Sequence, residues 1–132
     1  MTTRLWIGLC AAIALMGWLD ARAAEPPSFK RDVAPILKQR CAPCHLTGDE
    51  PGGMALHPGA AHRSLVGVAA LGAPMQRVKP GSPDESYVVH KLQGTHLDVG
   101  GSGLRMPMDG APLSEQQLEL IRAWIKAGAA DD

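Results

Sequence analysis

The chain has 132 residues, with 13 Lys+Arg against 13 Asp+Glu and a formal net charge of zero. That balance excludes an electrostatic footprint for nucleic acid or for an anionic membrane surface. Aromatic residues make up only 4%, so a small domain built from this chain has little bulky material to bury, and a bound group is expected to supply part of its core.

Met1-Thr2-Thr3-Arg4 is a short basic segment, Leu5 to Leu19 is a nearly uninterrupted apolar run of 15 residues, and Ala21-Arg22-Ala23 is an A-x-A cleavage site. Together they read as a cleaved secretory signal peptide over residues 1–23, and so as export to the periplasm. The run is short for a bilayer span, which needs about 20 residues. No stable membrane insertion is expected, and a retained N-terminal anchor is the alternative. Cys10 lies inside the run and leaves with it. Residues 24–132 then form one domain carrying 11 Lys+Arg and 12 Asp+Glu, whose cysteines are Cys41 and Cys44. Its aromatics are Phe29, Tyr87 and Trp124.

Phe29 to Arg40 reads as the first helix. Asp32 is placed to cap it, Pro35 falls in its first turn, and Val33, Ile36 and Leu37 face inward. The helix delivers Cys41-Ala42-Pro43-Cys44-His45. A Cys-x-x-Cys-His run is the attachment signature of c-type haem. Two thiols one turn apart add across the two vinyl groups, and the adjoining imidazole falls under the iron as proximal ligand. A thioredoxin-type dithiol would sit in a βαβ context, and no apolar strand run precedes Cys41. A zinc site would need two further ligands, which His57 and His62 could supply only through a long Gly- and Pro-rich loop. With one haem completing the core, the apoprotein is expected to be largely unfolded.

Thr47 to Ala61 has no sustained period and reads as loop. His62 to Val68 forms a short helix around Leu65 and Val66. Ser82-Pro83-Asp84-Glu85 combines a cap serine, proline at the first helical position and glutamate three after the cap. Tyr87, Val88 and Leu92 make that helix's apolar face, and Gly94 stops it. In the last helix Ser114 and Gln117 make a capping box, Leu113 and Leu118 a staple, and Leu118, Ile121, Trp124 and Ile125 the buried face, with Gly128 at its end. The sequence therefore reads as a small all-α domain wrapped by loops.

An iron held by His45 has a second axial position. The candidates are Met54, Met75, Met106, Met108, His57, His62, His90 and His96. Met106-Pro107 stands out. It follows the flexible Gly100-Gly101-Ser102-Gly103 segment, precedes the capped last helix, and its proline stiffens the loop and removes a competing donor. Met108 has the same chemistry two residues on. The four histidines read as solvated side chains. The glycine cluster has no strand before it and is not a phosphate loop.

Between Phe29 and Ala129 the chain resembles the monohaem cytochrome c domains of bacterial periplasmic proteins, of the class I type. The resemblance rests on Phe29-Lys30-Arg31-Asp32-Val33-Ala34-Pro35-Ile36-Leu37, the haem motif, Pro80-Gly81-Ser82-Pro83, Arg105-Met106-Pro107 and Trp124-Ile125-Lys126-Ala127-Gly128-Ala129. It implies a small cytochrome c-like fold of three to five helices with long loops around one covalent haem. It also implies thioethers at Cys41 and Cys44, proximal ligation by His45 and distal ligation by Met106. Many relatives read Met-Pro-Pro where this chain reads Met106-Pro107-Met108, so Met108 stands as the alternative ligand.

The function this implies is one-electron transfer between periplasmic or membrane redox proteins that dock transiently, with no catalytic activity of its own; the domain could serve as an accessory electron-transfer part of an oxidoreductase. The haem maturation machinery is its partner during export. The alternative is a haem-based enzyme subunit or gas sensor with a labile or open distal site; no Ser/His/Asp set or other catalytic constellation accompanies the motif.

Overall fold

In a computed structural model describing residues 25–108 and 110–132, the segment that opens the domain is held by the helix that closes it. The signal segment expected over residues 1–23 lies outside the described residues. Among the described residues no helix is long and apolar enough to cross a membrane.

The first helix begins as one π-helical turn, Phe29–Val33, and continues as α1, Ala34–Arg40. Its cap is Ser28, not the expected Asp32. The Ser28 hydroxyl accepts from the Arg31 N–H, and the Asp32 carboxylate accepts in return from the Ser28 N–H at 2.8 Å. Asp32 thus fills the acidic half of a reciprocal cap, a turn later than the capping serine. Arg31 and the Ser28 N–H together hold the Asp32 carboxyl below its usual range. Pro35 sits within the first turn of α1, where its missing N–H costs nothing.

α2 is shorter than expected, Ala61–Leu65. Val66 turns extended and bridges Val78, and further single bridges join Ala69 to Gln76 and Gln76 to Ser86. The same pairing breaks the helix expected from Ser82. Tyr87 and Val88 donate to the carbonyls of Gln76 and Arg77, which pulls Ser86 extended between a 3-10 turn, Pro83–Glu85, and α3, Tyr87–Gln93. Ser82 makes no side-chain cap. The wholly buried Ser86 hydroxyl does the tying instead, donating to the Ser82 carbonyl at 2.8 Å and accepting from the Lys79 N–H at 2.9 Å. α3 buries Val89 with Tyr87 and Leu92, leaving Val88 half-buried. Gly94 ends α3 in the left-handed conformation, as its position suggested.

His96–Val99 forms a further 3-10 turn. α4, Glu115–Lys126, has the expected capping box between Ser114 and Gln117. Leu113 joins the core with Leu118 packed against it. The helix buries Ile121, Trp124 and Ile125 against Phe29 and Val33. Phe29 and Trp124 pack at a tilt of 36° with ring centroids 5.3 Å apart, and the His62 ring meets Phe29 edge-on at 5.1 Å. Trp124 donates its indole N–H to the Ala130 carbonyl, so the largest buried side chain is also satisfied. Truncating a side chain of this kind costs roughly 3–5 kcal/mol.

The two ends of the domain lie side by side. The Phe29 N–H donates to the Asp132 carboxylate at 2.8 Å, and the Lys30 N–H and Ser28 hydroxyl donate to the Asp132 carbonyl. The described residues hold four α-helices and no strand beyond the single bridges, in keeping with an all-α domain.

Candidate functional site

α1 ends at Arg40, and the chain turns at once. Cys41 and Ala42 both donate their N–H groups to the Leu37 carbonyl at 2.9 Å, closing the helix. Cys44 and His45 both donate to the Cys41 carbonyl at 3.1 Å, so one turn carries both thiols and the imidazole. Ala42 is buried in the core and pins this turn to the body of the domain. The two thiols differ. Cys44 is exposed, whereas burial pushes the Cys41 thiol up to about 11.

His45 is half-buried, and its Nδ1 is buried without a hydrogen-bond partner. Its carbonyl accepts from the Leu56 N–H at 2.9 Å, which brings the following loop back across it. A Cβ added at Gly52 would lie 3.9 Å from His45 Cε1, so the Gly52-Gly53 turn passes beside the ring. Between them, Glu50 folds the loop onto itself by accepting from the main-chain N–H groups of Thr47 and Gly48. The bond from Gly48 leads the effects that hold the Glu50 carboxyl down at about 2.

The other histidines are not the solvated side chains expected, His57 excepted. His62 hydrogen-bonds the Ala129 carbonyl at 2.7 Å and packs in the aromatic cluster. His90 meets the Thr95 hydroxyl at 2.8 Å and the Asp84 carbonyl at 2.9 Å. His96 is only 3% exposed and bonds the Gly103 carbonyl through Nε2 at 2.8 Å, leaving its buried Nδ1 without a partner. A carbonyl only accepts, so Nε2 is the protonated nitrogen in each of these bonds. Among the described residues no three of His, Cys, Asp and Glu gather to hold a metal ion, so His57 and His62 do not complete a zinc site with the cysteines.

The segment before Met106 is anchored rather than flexible. Gly101 donates to the His96 carbonyl at 2.8 Å, Ser102 donates to the Tyr87 hydroxyl at 3.3 Å, and Lys91 donates from Nζ to the carbonyls of Ser102 and Leu104. Gly101 has to be glycine, because a Cβ there would lie 2.5 Å from the His96 carbonyl and 2.6 Å from the Tyr87 hydroxyl. Met106 itself donates to the Lys91 carbonyl at 2.9 Å. Met106 is half-buried and Pro107 buried, whereas Met108 is 63% exposed. Met54 and Met75 are also half-buried, and Met54 packs against the core.

The loop after Met106 returns to α1, where the Arg40 guanidinium donates to the Ala111 carbonyl. The residue before Cys41 thus holds the far end of the methionine loop. Leu46, Leu71, Leu104 and Met108 are exposed although apolar. Leu46 follows His45, Leu104 and Met108 flank Met106, and Leu71 lies against the Gly52-Gly53 turn.

Sequence reasoning missed the Tyr87–Lys91–His96 clamp, Ser86 and Arg77. The first three recur at a spacing of four and five residues along and just past one helix, but nothing in that spacing names a glycine loop as their target.

No protein-family model matches the chain, and no curated protein matches it. Among solved structures the chain is similar to "Kuenenia stuttgartiensis Hydrazine Synthase", with a TM-score of 0.48 and 25% identity, over 78% of this chain and 16% of that one. The chain therefore spans about a sixth of the length of that structure's chain.

Proposed function

We propose that this domain is a periplasmic one-electron carrier built on one covalently attached c-type haem. The observation that carries the reading is the single turn 41–45, which carries two thiols and an imidazole directly after the end of α1. Three features of the chain fit such a group. The buried Nδ1 of His45 has no partner, so the ring awaits a group that fixes its orientation. Apolar side chains stand exposed beside the motif and beside Met106, in a chain with few bulky residues to spare. The Nε2 atoms of His62, His90 and His96 are engaged by main-chain carbonyls, which favours a thioether as the distal donor.

In this reading Cys41 and Cys44 hold the group covalently, His45 is the proximal ligand and Met106 the distal one. The haem supplies reversible one-electron chemistry at its iron. The protein's part is to fix both ligands and keep water out. α1 and its closing turn place His45, and the clamp from α3 places Met106. Met106 is preferred to Met108 because its backbone is bonded to α3 and its side chain is half-buried, while Met108 points outward at 63% exposure. A soft thioether donor such as Met106 would favour the reduced iron, with His45 supplying the imidazole.

Absorption spectra of the exported protein, oxidised and reduced, test this directly. Sharp low-spin bands are expected, with the weak ferric band of a methionine–iron bond lost in Met106→Ala and kept in Met108→Ala. A high-spin spectrum that shifts readily with carbon monoxide would overturn the closed-site reading.

A further inference from the structure

Three consecutive carbonyls in the strap 101–106 are gathered by side chains from α3 and the turn beyond it. The Lys91 ammonium takes those of Ser102 and Leu104, and His96 donates from Nε2 to that of Gly103 at 2.8 Å. In return the Gly101 N–H donates to the His96 carbonyl at 2.8 Å, and the Met106 N–H to the Lys91 carbonyl at 2.9 Å. His96 is thus covered by the residues it holds, and is 3% exposed.

A second proton has different consequences at His90 and at His96. His90 meets the Thr95 hydroxyl through Nδ1 and the Asp84 carbonyl through Nε2, and both oxygens can accept. It takes the proton where it stands. His96 has its Nε2–H committed to Gly103, so the proton goes to Nδ1, a buried atom to which no protein group offers an acceptor. The titratable and charged groups around it do not change this. From α3 come Tyr87, whose hydroxyl already serves the Ser102 N–H, and Lys91, a like charge. Asp98, on the same 3-10 turn, is exposed, and Arg105 in the strap lies along Gly94. Residues 70–75, which approach the strap through Gly72 and Pro74, contain no titratable side chain. A buried N–H without an acceptor is costly, and lifting the strap lets water serve it. The lifted form therefore holds the extra proton more readily, and acid favours it.

We infer that residues 101–106 are an acid-released strap: proton uptake at His96 Nδ1 lifts it, takes Met106 off the iron and opens the distal position to a small ligand such as carbon monoxide. The inference rests on the haem reading above, with Met106 as distal ligand, and adds to it a ligand-binding form in mild acid. The proton comes from water, the thioether leaves with its lone pair, and no electron is transferred. His96 is a positioning residue that acts through Gly101 and Gly103.

The test follows the ferric methionine–iron band, and the rate of carbon monoxide binding to the ferrous form, in the full holoprotein from about pH 8 to about pH 5. In the wild type the band is expected to vanish reversibly with the uptake of one proton, while carbon monoxide binding quickens about tenfold as the open fraction grows. His96→Gln, whose amide N–H can keep the Gly103 carbonyl and which does not titrate, is expected to hold both constant. A wild-type band that persists throughout, or a His96→Gln response equal to that of the wild type, overturns the inference. Should His96→Gln lack the band already at the alkaline end, the imidazole resonances of the wild type decide. A His96 resonance that shifts in step with the band supports the inference, and one that shifts out of step overturns it. A wild type without the band before any acid is added defeats the Met106 reading, and the inference with it.

Discussion

The stretch after Cys41 and the stretch before Ala111 are both irregular, yet they are held in opposite ways. Residues 41–56 are shaped by their own bonds: Cys44 and His45 to the Cys41 carbonyl, Thr47 and Gly48 to the Glu50 carboxylate, Leu56 to the His45 carbonyl. Arg77 and the Ser64 hydroxyl reach this stretch from outside, at the Gly52 carbonyl and the Ala55 N–H. Residues 100–111 take their shape from side chains that belong elsewhere, Tyr87 and Lys91 on α3, His96 just beyond it, and Arg40 at the end of α1. The first half of the site is built locally; the second is borrowed from the rest of the fold. Damage to the core or to α3 is therefore expected to reach the methionine side first.

The largest contrast comes from removing both thiols. Cys41→Ser with Cys44→Ser is expected to abolish covalent haem completely, seen as loss of peroxidase staining on a denaturing gel. Covalent haem surviving in that double variant would break the assignment of the local half. The converse is Gly101→Ala, which forces a methyl group into the His96 carbonyl and the Tyr87 hydroxyl. A loss of roughly 1–3 kcal/mol in denaturant unfolding is expected from such overpacking. With it should come loss of the ferric methionine–iron band and faster carbon monoxide binding, while the covalent haem stays intact. If the band persists, the clamp does not govern the distal ligand.

A smaller, neutral change sharpens the comparison. Ser114→Ala removes the cap of α4 and is expected to cost about 1 kcal/mol in chemical denaturation, with the spectrum unchanged. Smallest is the acid response of the local half. Glu50 is held down at about 2 by the Gly48 N–H foremost, with its own and that of Thr47. A carboxylate depressed in the folded state stabilises above its unfolded value of about 4.5, and that contribution fades as pH falls through about 2. Glu50→Gln should therefore lower stability at neutral pH and flatten the profile across that window, so that the two proteins converge as the pH falls toward about 2; equal acid slopes in the two proteins would remove Glu50 from the account.

The same division explains how much was legible in the sequence. The capping box at Ser114, the Gly94 stop and the apolar face of α4 are local patterns, each decided within a few residues, and each stands where the sequence placed it. Most of the errors are cases of distant segments overruling local propensity. Ser82 carries every mark of a helix cap, but pairing of Gln76 and Arg77 with residues 86–88 interrupts the helix it would start. The Gly100–Gly103 run reads as flexible because glycine is permissive, whereas at Gly101 the need is for room under Tyr87. His96 reads as solvated because its neighbours are polar, and is buried because that same glycine loop closes over it. Asp32 missed its role by a single turn, since serine and aspartate share the cap.

The bonds from Ser28, Phe29 and Lys30 to Asp132 close the described domain into something near a ring. The order of elements along such a ring is a matter of synthesis more than of stability. Joining the two ends by a short bridge and reopening the chain in an exposed loop would leave the Phe29–Trp124 contact and the turn at Cys41 in place. The domain's architecture is thus separable from its reading direction: the last residue holds the first helix, and the first helix carries the haem motif.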